Sequence, residues 1–184
     1  MSLTVPILAF VTGQRLGELV LARRNTRRLL AAGAIEVGAR HYPLIVGLHV
    51  AWLAGLWALA WDRTASLGWL GVYAVLQVLR AWTLASLGPR WTTRILILPG
   101  APLVRRGPYR LFPHPNYAVV VGEIAVLPLV FGMPAYALVF SLLNAAVLWL
   151  RIRTENAALR GGVRPFPVQV ESAEPDEKGL SSKV

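Results

Sequence analysis

Cysteine is absent from this 184-residue chain, which excludes disulfides and thiol catalysis. Histidine is scarce: three scattered residues with no cysteine beside them argue against a structural zinc site, and no metal is expected. Acidic residues are few, nine against nineteen Lys and Arg, so the formal net charge is +10. No Gly-x-Gly-x-x-Gly follows a strand-like run, so the chain lacks the signature of a dinucleotide-binding Rossmann unit. There is neither an internal repeat nor a low-complexity tract, and the length asks for no more than one domain.

Apolar side chains, by contrast, are abundant: 55% of residues are hydrophobic, with a mean hydropathy of +0.53. Soluble domains are seldom this apolar and this basic at once. A basic chain can be a nucleic-acid binder. Here, however, the arginines sit at the ends of apolar runs, the pattern of a polytopic membrane protein, and no nucleic-acid partner is expected.

A helix needs about 20 residues to cross a bilayer. Five runs approach or meet that length: 3–22, 44–61, 67–87, 117–131 and 133–150. They predict an all-α fold of about five transmembrane helices. The last two form a helical hairpin, with Gly132 suited to a helix stop and Pro134 to a helix start. The fourth run is short. The first lacks a basic start and a small-residue cleavage site, so it is expected to be a retained helix, not a signal peptide. Arginines cluster after helix one (Arg23, Arg24, Arg27, Arg28, Arg40), after helix three (Arg90, Arg94, Arg105, Arg106, Arg110) and around the end of helix five (Arg151, Arg153, Arg160, Arg164). The opposite side carries Arg63, offset by Asp62. By the positive-inside rule the amino terminus lies outside and the carboxyl terminus in the cytoplasm, within a bacterial inner membrane. Topology and attraction to anionic lipids account for most of these arginines without any catalytic role. Residues 1–160 are read as one membrane domain, and 161–184, rich in Pro, Glu, Ser, Gly and Lys, as a flexible cytoplasmic tail.

Ionisable groups inside a span are costly, and are usually paired or turned to a cavity. Arg15 and Glu18 are three residues apart and can pair on one helix face, either as a structural tie or as part of a site. Gln77, Arg80 and Leu84 share a face of helix three; Asn144, Leu148, Arg151 and Glu155 form a stripe on helix five. The densest polar stretch is Val104-Arg-Arg-Gly-Pro-Tyr-Arg-Leu-Phe-Pro-His-Pro-Asn-Tyr-Ala118, between long apolar runs. Irregular backbone beside a membrane must be tied down by protein or ligand. Pro115 suits a first helical turn, and free N–H groups at that helix start favour an anionic or electron-rich ligand. His114 and Tyr117, three residues apart, can stand on one side of it. Alone, a His here is as well explained as a cap, and Arg151–Glu155 as a surface pair.

The ordered set Gly107-Pro108-Tyr109, His114-Pro115-Asn116-Tyr117, a hydrophobic hairpin, then Arg151 and Glu155 resembles the isoprenylcysteine carboxyl methyltransferase superfamily of membrane enzymes. The likeness covers roughly residues 80–159. The first half is similar to the bacterial branch that O-methylates alkylpyrones and alkylresorcinols made by type III polyketide synthases. The residues carrying that likeness are Arg15, Glu18-Leu19, Arg24-Asn25, Gly33 to Gly38, His41-Tyr42-Pro43 and His49. The resemblance implies S-adenosylmethionine as cofactor, held mainly by residues 80–160: Leu103, Val104, Gly107, Pro108 and Tyr109 around the adenosyl part, His114, Asn116 and Tyr117 against it, and Arg151 with Glu155 on its polar groups. It also places Arg80 near the reaction centre. Two departures stand out. Pro113 replaces a basic residue that many relatives carry before the His-Pro pair, and Asn156 replaces a second acid after Glu155.

Methyl transfer from a sulfonium to oxygen needs positioning and desolvation above all. A site at the cytoplasmic boundary lets a soluble cofactor and a lipophilic acceptor each arrive from its own phase. A carboxylate or enolised pyrone needs no base; a resorcinol hydroxyl, with a phenol-like pKa of about 10, would gain from one. Within the spans His49, Glu123 and Glu18 are the candidates, though packing or helix pairing is the commoner role for each. The expected partners are a lipophilic small-molecule acceptor and membrane lipids. Isoprenylcysteine carboxyl or phospholipid methylation is the alternative within the superfamily. A small transporter or structural membrane protein is the rival outside it, weakened by the lack of an inverted repeat.

Overall fold

The computed structural model describes residues 3–102, 104–111 and 114–160, with side chains to residue 157. Five helices carry the fold: α1 (Thr4–Ala31), α2 (Tyr42–Ala60), α3 (Leu67–Leu87), α4 (Pro115–Val130) and α5 (Pro134–Arg160). Four helical stretches, Thr4–Ala31, Ala39–Ala60, Leu67–Arg90 and Pro134–Ala157, are long and apolar enough to cross a membrane. With 16 residues, α4 rises about 24 Å, short of a hydrocarbon core of about 30 Å.

Each helix starts and stops where its sequence dictates. Pro43, Pro115 and Pro134 fall at helix starts, where a missing N–H costs nothing. Gly132, at φ 65°, takes the left-handed turn that ends α4, and the Phe131 and Met133 amides return to the Pro128 carbonyl. The first helix runs nine residues past its expected end at Ala22, to Ala31. Nothing between them breaks a helix, since Arg, Leu and Ala are all strong formers. Arg23, Arg24, Arg27 and Arg28 therefore stand on α1 and not on a loop.

Packing is inverted relative to a soluble bundle. Large apolar side chains such as Phe10, Val20, Val50, Val78, Trp82, Leu138 and Leu142 face outward. Of the four buried residues of α3, Arg80, Thr83 and Ser86 are polar and Tyr73 packs in the apolar core. An apolar exterior around a partly polar interior is the arrangement lipid demands. Leu8, Val11, Trp52, Leu56, Ile124, Leu127 and Phe131 form an apolar core near the α4–α5 turn. The short helix α4 is the most buried, packed between α3 and α5.

One element was not expected in an all-α fold. Ile35–Val37 (β1) pairs antiparallel with Ile95–Ile97 (β2), in the register Ile35↔Ile97 and Val37↔Ile95. This ribbon sits at the same end as the arginine-rich segments. Arg94 ties it together, donating to both Glu36 oxygens at 2.8 and 2.9 Å.

Candidate active site

Beside the ribbon lies a cavity of about 460 Å³, within the usual range for small-molecule sites. Its apolar wall comes from Leu29, Ala34, Leu87 and residues 95–98; its polar wall from Tyr109, His114, Asn116, Tyr117, Arg151, Glu155 and Asn156. Seven of the ten residues expected at the cofactor line it: Val104, Tyr109, His114, Asn116, Tyr117, Arg151 and Glu155. Leu103 lies outside the described residues, as do Pro113 and the expected tail.

Gly107 and Pro108 do not line the cavity. They open a short 3-10 turn, Gly107–Arg110, that presses on the end of α3. A Cβ on Gly107 would stand 2.1 Å from Ser86 Oγ, and its φ of 56° is a glycine conformation. Arg106 Nε donates to the Ser86 carbonyl at 2.7 Å, fastening the same junction. These residues support the wall from behind.

The centre of the polar wall is Tyr117, in the first turn of α4. Its hydroxyl donates to Glu155 Oε2 and accepts from Arg151 Nε at 3.0 Å. Arg151 also donates to the Thr93 carbonyl at 2.8 Å. Because Arg151 and Glu155 are one helical turn apart, both reach the same hydroxyl. The His114 ring stacks on Tyr117 at 5.3 Å with an interplanar angle of 21°. Burial, and secondarily the Glu155 carboxylate, pushes the Tyr109 phenol above its ordinary value, so it stays a neutral donor.

This donor set fits S-adenosylmethionine. Glu155 is an anion for an ammonium, Arg151 a cation for a carboxylate, and the His114, Tyr117 and Tyr109 rings suit a sulfonium and a flat base. Asn116 Oδ1 and Trp91 Nε1 are buried in this wall with no hydrogen-bond partner among the described residues. Sequence reasoning missed Trp91 and the ribbon. Asn25, singled out there only for the branch likeness, donates to the Gly88 and Trp91 carbonyls at 3.2 and 2.8 Å and so pins α1 to the wall.

The candidates for catalysis lie elsewhere. Arg80 and Glu123 belong to a buried charge cluster that joins three helices. Arg80 donates to both oxygens of Glu18 through Nε and Nη2, and to Glu123 Oε2 at 2.8 Å through Nη1. Arg15 donates to Glu18 at 3.1 Å and to Glu123 at 2.8 Å. Gln77 and Gln14 add donors to Glu123 and Glu18, at 2.8 and 3.0 Å. The pairing of Arg15 with Glu18 is thus one edge of a larger network. His49 is not bonded into it: its Nδ1 donates to the Ile45 carbonyl at 2.8 Å, which fixes the tautomer and leaves Nε2 as an acceptor. Glu123 is six residues from Tyr117, so the cluster sits about 9 Å below the cavity's polar wall.

Residues 69–161 match the model of the isoprenylcysteine carboxyl methyltransferase (ICMT) family. The uncharacterized protein YpbQ of Bacillus subtilis (strain 168) is 42% identical over 84% of this chain and 95% of its own length. An uncharacterized protein of Haemophilus influenzae is 27% identical over 82% of this chain and 91% of its own. No solved structure matches the chain.

Proposed function

Since the chain belongs to the isoprenylcysteine carboxyl methyltransferase family of membrane methyltransferases, we propose that it moves a methyl group from S-adenosylmethionine to an oxygen of a lipophilic acceptor. The observation that carries the cofactor assignment is the convergence of His114, Tyr117, Arg151 and Glu155 on one cavity wall. When bound, the cofactor supplies a methyl group made electrophilic by an adjacent sulfonium. Glu155 holds the ammonium end and Arg151 the carboxylate, each oriented by the Tyr117 hydroxyl between them. His114, Tyr117 and Tyr109 offer π faces to positive charge. The apolar wall from Leu29, Leu87 and the β2 strand excludes water, which favours a reaction that neutralises charge.

On this proposal five helices cross the membrane, with α4 either tilting little or extending into an interfacial Pro-rich segment, and α4 and α5 form a spanning hairpin. The exposed arginines of α1 and of residues 90–110 support a cytoplasmic location for the cavity end, in a bacterial inner membrane. The resemblance of the first half supports an alkylpyrone or alkylresorcinol acceptor. The test is incubation of membranes holding the protein with methyl-labelled cofactor and an alkylresorcinol, an alkylpyrone, a prenylcysteine or a phospholipid, followed by lipid extraction. Label is expected in the polyketide lipids and lost in His114→Ala and Glu155→Ala. Full activity in both variants contradicts the site assignment.

A further inference from the structure

Arg151 lines the cavity with its guanidinium already held from two sides. Nε donates to the Tyr117 hydroxyl at 3.0 Å, and Nη2 to the Thr93 carbonyl at 2.8 Å. An arginine has five N–H donors, and the others on Arg151 have no partner among the described residues. They remain for a ligand carboxylate, and the plane they present is set by where the two acceptors stand. Tyr117 is fixed by the first turn of α4. Thr93 belongs to no helix or strand. It lies between the 3-10 turn Gly88–Arg90 and β2, just outside the ladder, whose pairing starts at Ile95.

The hold on Thr93 comes from α2. The Tyr42 hydroxyl meets Thr93 Oγ1 at 3.1 Å. The Tyr42 ring lies under the next residue, Arg94, whose guanidinium stands 4.7 Å from the ring centroid. Arg94 is in turn clamped by both oxygens of Glu36. The Thr93–Arg94 peptide, whose carbonyl Arg151 uses, is thus gripped at both of its residues by one side chain. Tyr42 opens α2, so its own position is set by a helix. It does not line the cavity, and it stands outside residues 69–161 that match the family model.

We propose that Tyr42 is a positioning residue: by fixing the Thr93 carbonyl it aims Arg151, and so sharpens the cavity's preference for a ligand that carries a carboxylate. The inference rests on the methyltransferase reading, in which Arg151 takes the carboxylate of S-adenosylmethionine. A long side chain that must be ordered on binding loses rotamer freedom at that moment. One already held by two acceptors does not.

The test is calorimetric titration of the full-length protein with S-adenosylhomocysteine and with its decarboxylated analogue, which keeps the adenosine and the ammonium. The readout is the ratio of the two affinities. The wild type is expected to prefer S-adenosylhomocysteine by at least about tenfold, as a charge-assisted contact allows. Tyr42→Phe keeps the ring under Arg94, and Thr93→Val keeps the carbonyl. Each should lower the preference about two- to tenfold, the contribution of one neutral hydrogen bond, and leave the analogue's affinity unaltered. In an Arg151→Gln background, Tyr42→Phe should change neither affinity. A merely structural role would instead weaken both ligands together, with or without Arg151. A preference unmoved in both Tyr42→Phe and Thr93→Val, equal weakening of the two ligands, or an undiminished effect of Tyr42→Phe beside Arg151→Gln overturns the inference alone. Failure of the wild type to bind either ligand overturns the methyltransferase reading itself, and this inference with it.

Discussion

Replacing Glu123 by glutamine keeps the shape of the buried cluster and removes one of its charges. Glu123 is 1% exposed and accepts from Gln77, Arg15 and Arg80, all at 2.8 Å. The glutamine turns an NH₂ group toward these donors and leaves two guanidinium groups sharing the single carboxylate of Glu18. The cluster passes from neutral to a net charge of one, buried in an apolar bundle. Breaking a buried ion pair on one side costs about 3–5 kcal/mol. For a chain of this size each kcal/mol moves Tm by roughly 2–4 °C, so a fall of at least about 6 °C is expected. The second variant decides the cause. Arg15→Gln combined with Glu123→Gln restores neutrality and keeps the two-pronged Arg80–Glu18 pair. The double variant should be more stable than Glu123→Gln alone, and less destabilised than the sum of the singles by about 0.5–3 kcal/mol. Thermal unfolding in one detergent gives all four corners of the cycle. A fall under about 2 °C for Glu123→Gln, or strictly additive effects in the double variant, would refute charge balance as the reason for the cluster.

Tyr117→Phe removes the hydroxyl between Arg151 and Glu155; hydrogen bonds to charged groups contribute about 1.5–3 kcal/mol, so S-adenosylhomocysteine should bind roughly 10- to 100-fold more weakly by calorimetry. Gly107→Ala forces a Cβ to 2.1 Å from Ser86 Oγ at a φ of 56° and should destabilise by about 1–3 kcal/mol in equilibrium unfolding. Adding Ser86→Ala would relieve the closest contact but not the backbone strain, so only part of the loss should return. Asn25→Ala frees the Gly88 and Trp91 carbonyls and should cost about 1–3 kcal/mol, with faster proteolysis between α3 and β2 as the local readout.

Hydropathy made the helices legible, and Gly132 with Pro134 marked the turn between α4 and α5 to the residue. The helix-five stripe of Asn144, Leu148, Arg151 and Glu155 was equally readable, because a 3.6-residue period is a local property. The end of α1 was not, since leaving the apolar run is not the same as leaving the helix: the arginines up to Arg28 continue it. The ribbon escaped notice because each strand has three residues and its partner lies about 60 positions away. Gly107 and Pro108 were expected against the cofactor; they stand outside the cavity lining, with Gly107 close against Ser86, a contact distant in sequence. Arg15, Glu18, Arg80 and Glu123 were each visible as costly charges in apolar runs. Which carboxylate served which arginine required the helices to be placed in space. His49 shows the converse: a polar residue in a span satisfied by its own helix.

The most direct test is calorimetric titration of S-adenosylhomocysteine into the purified full-length protein and its Glu155→Gln variant. The account predicts saturable one-to-one binding to the wild type, weakened at least about tenfold when the carboxylate beside Tyr117 is neutralised. No saturable binding, or equal affinity in the two proteins, would contradict it.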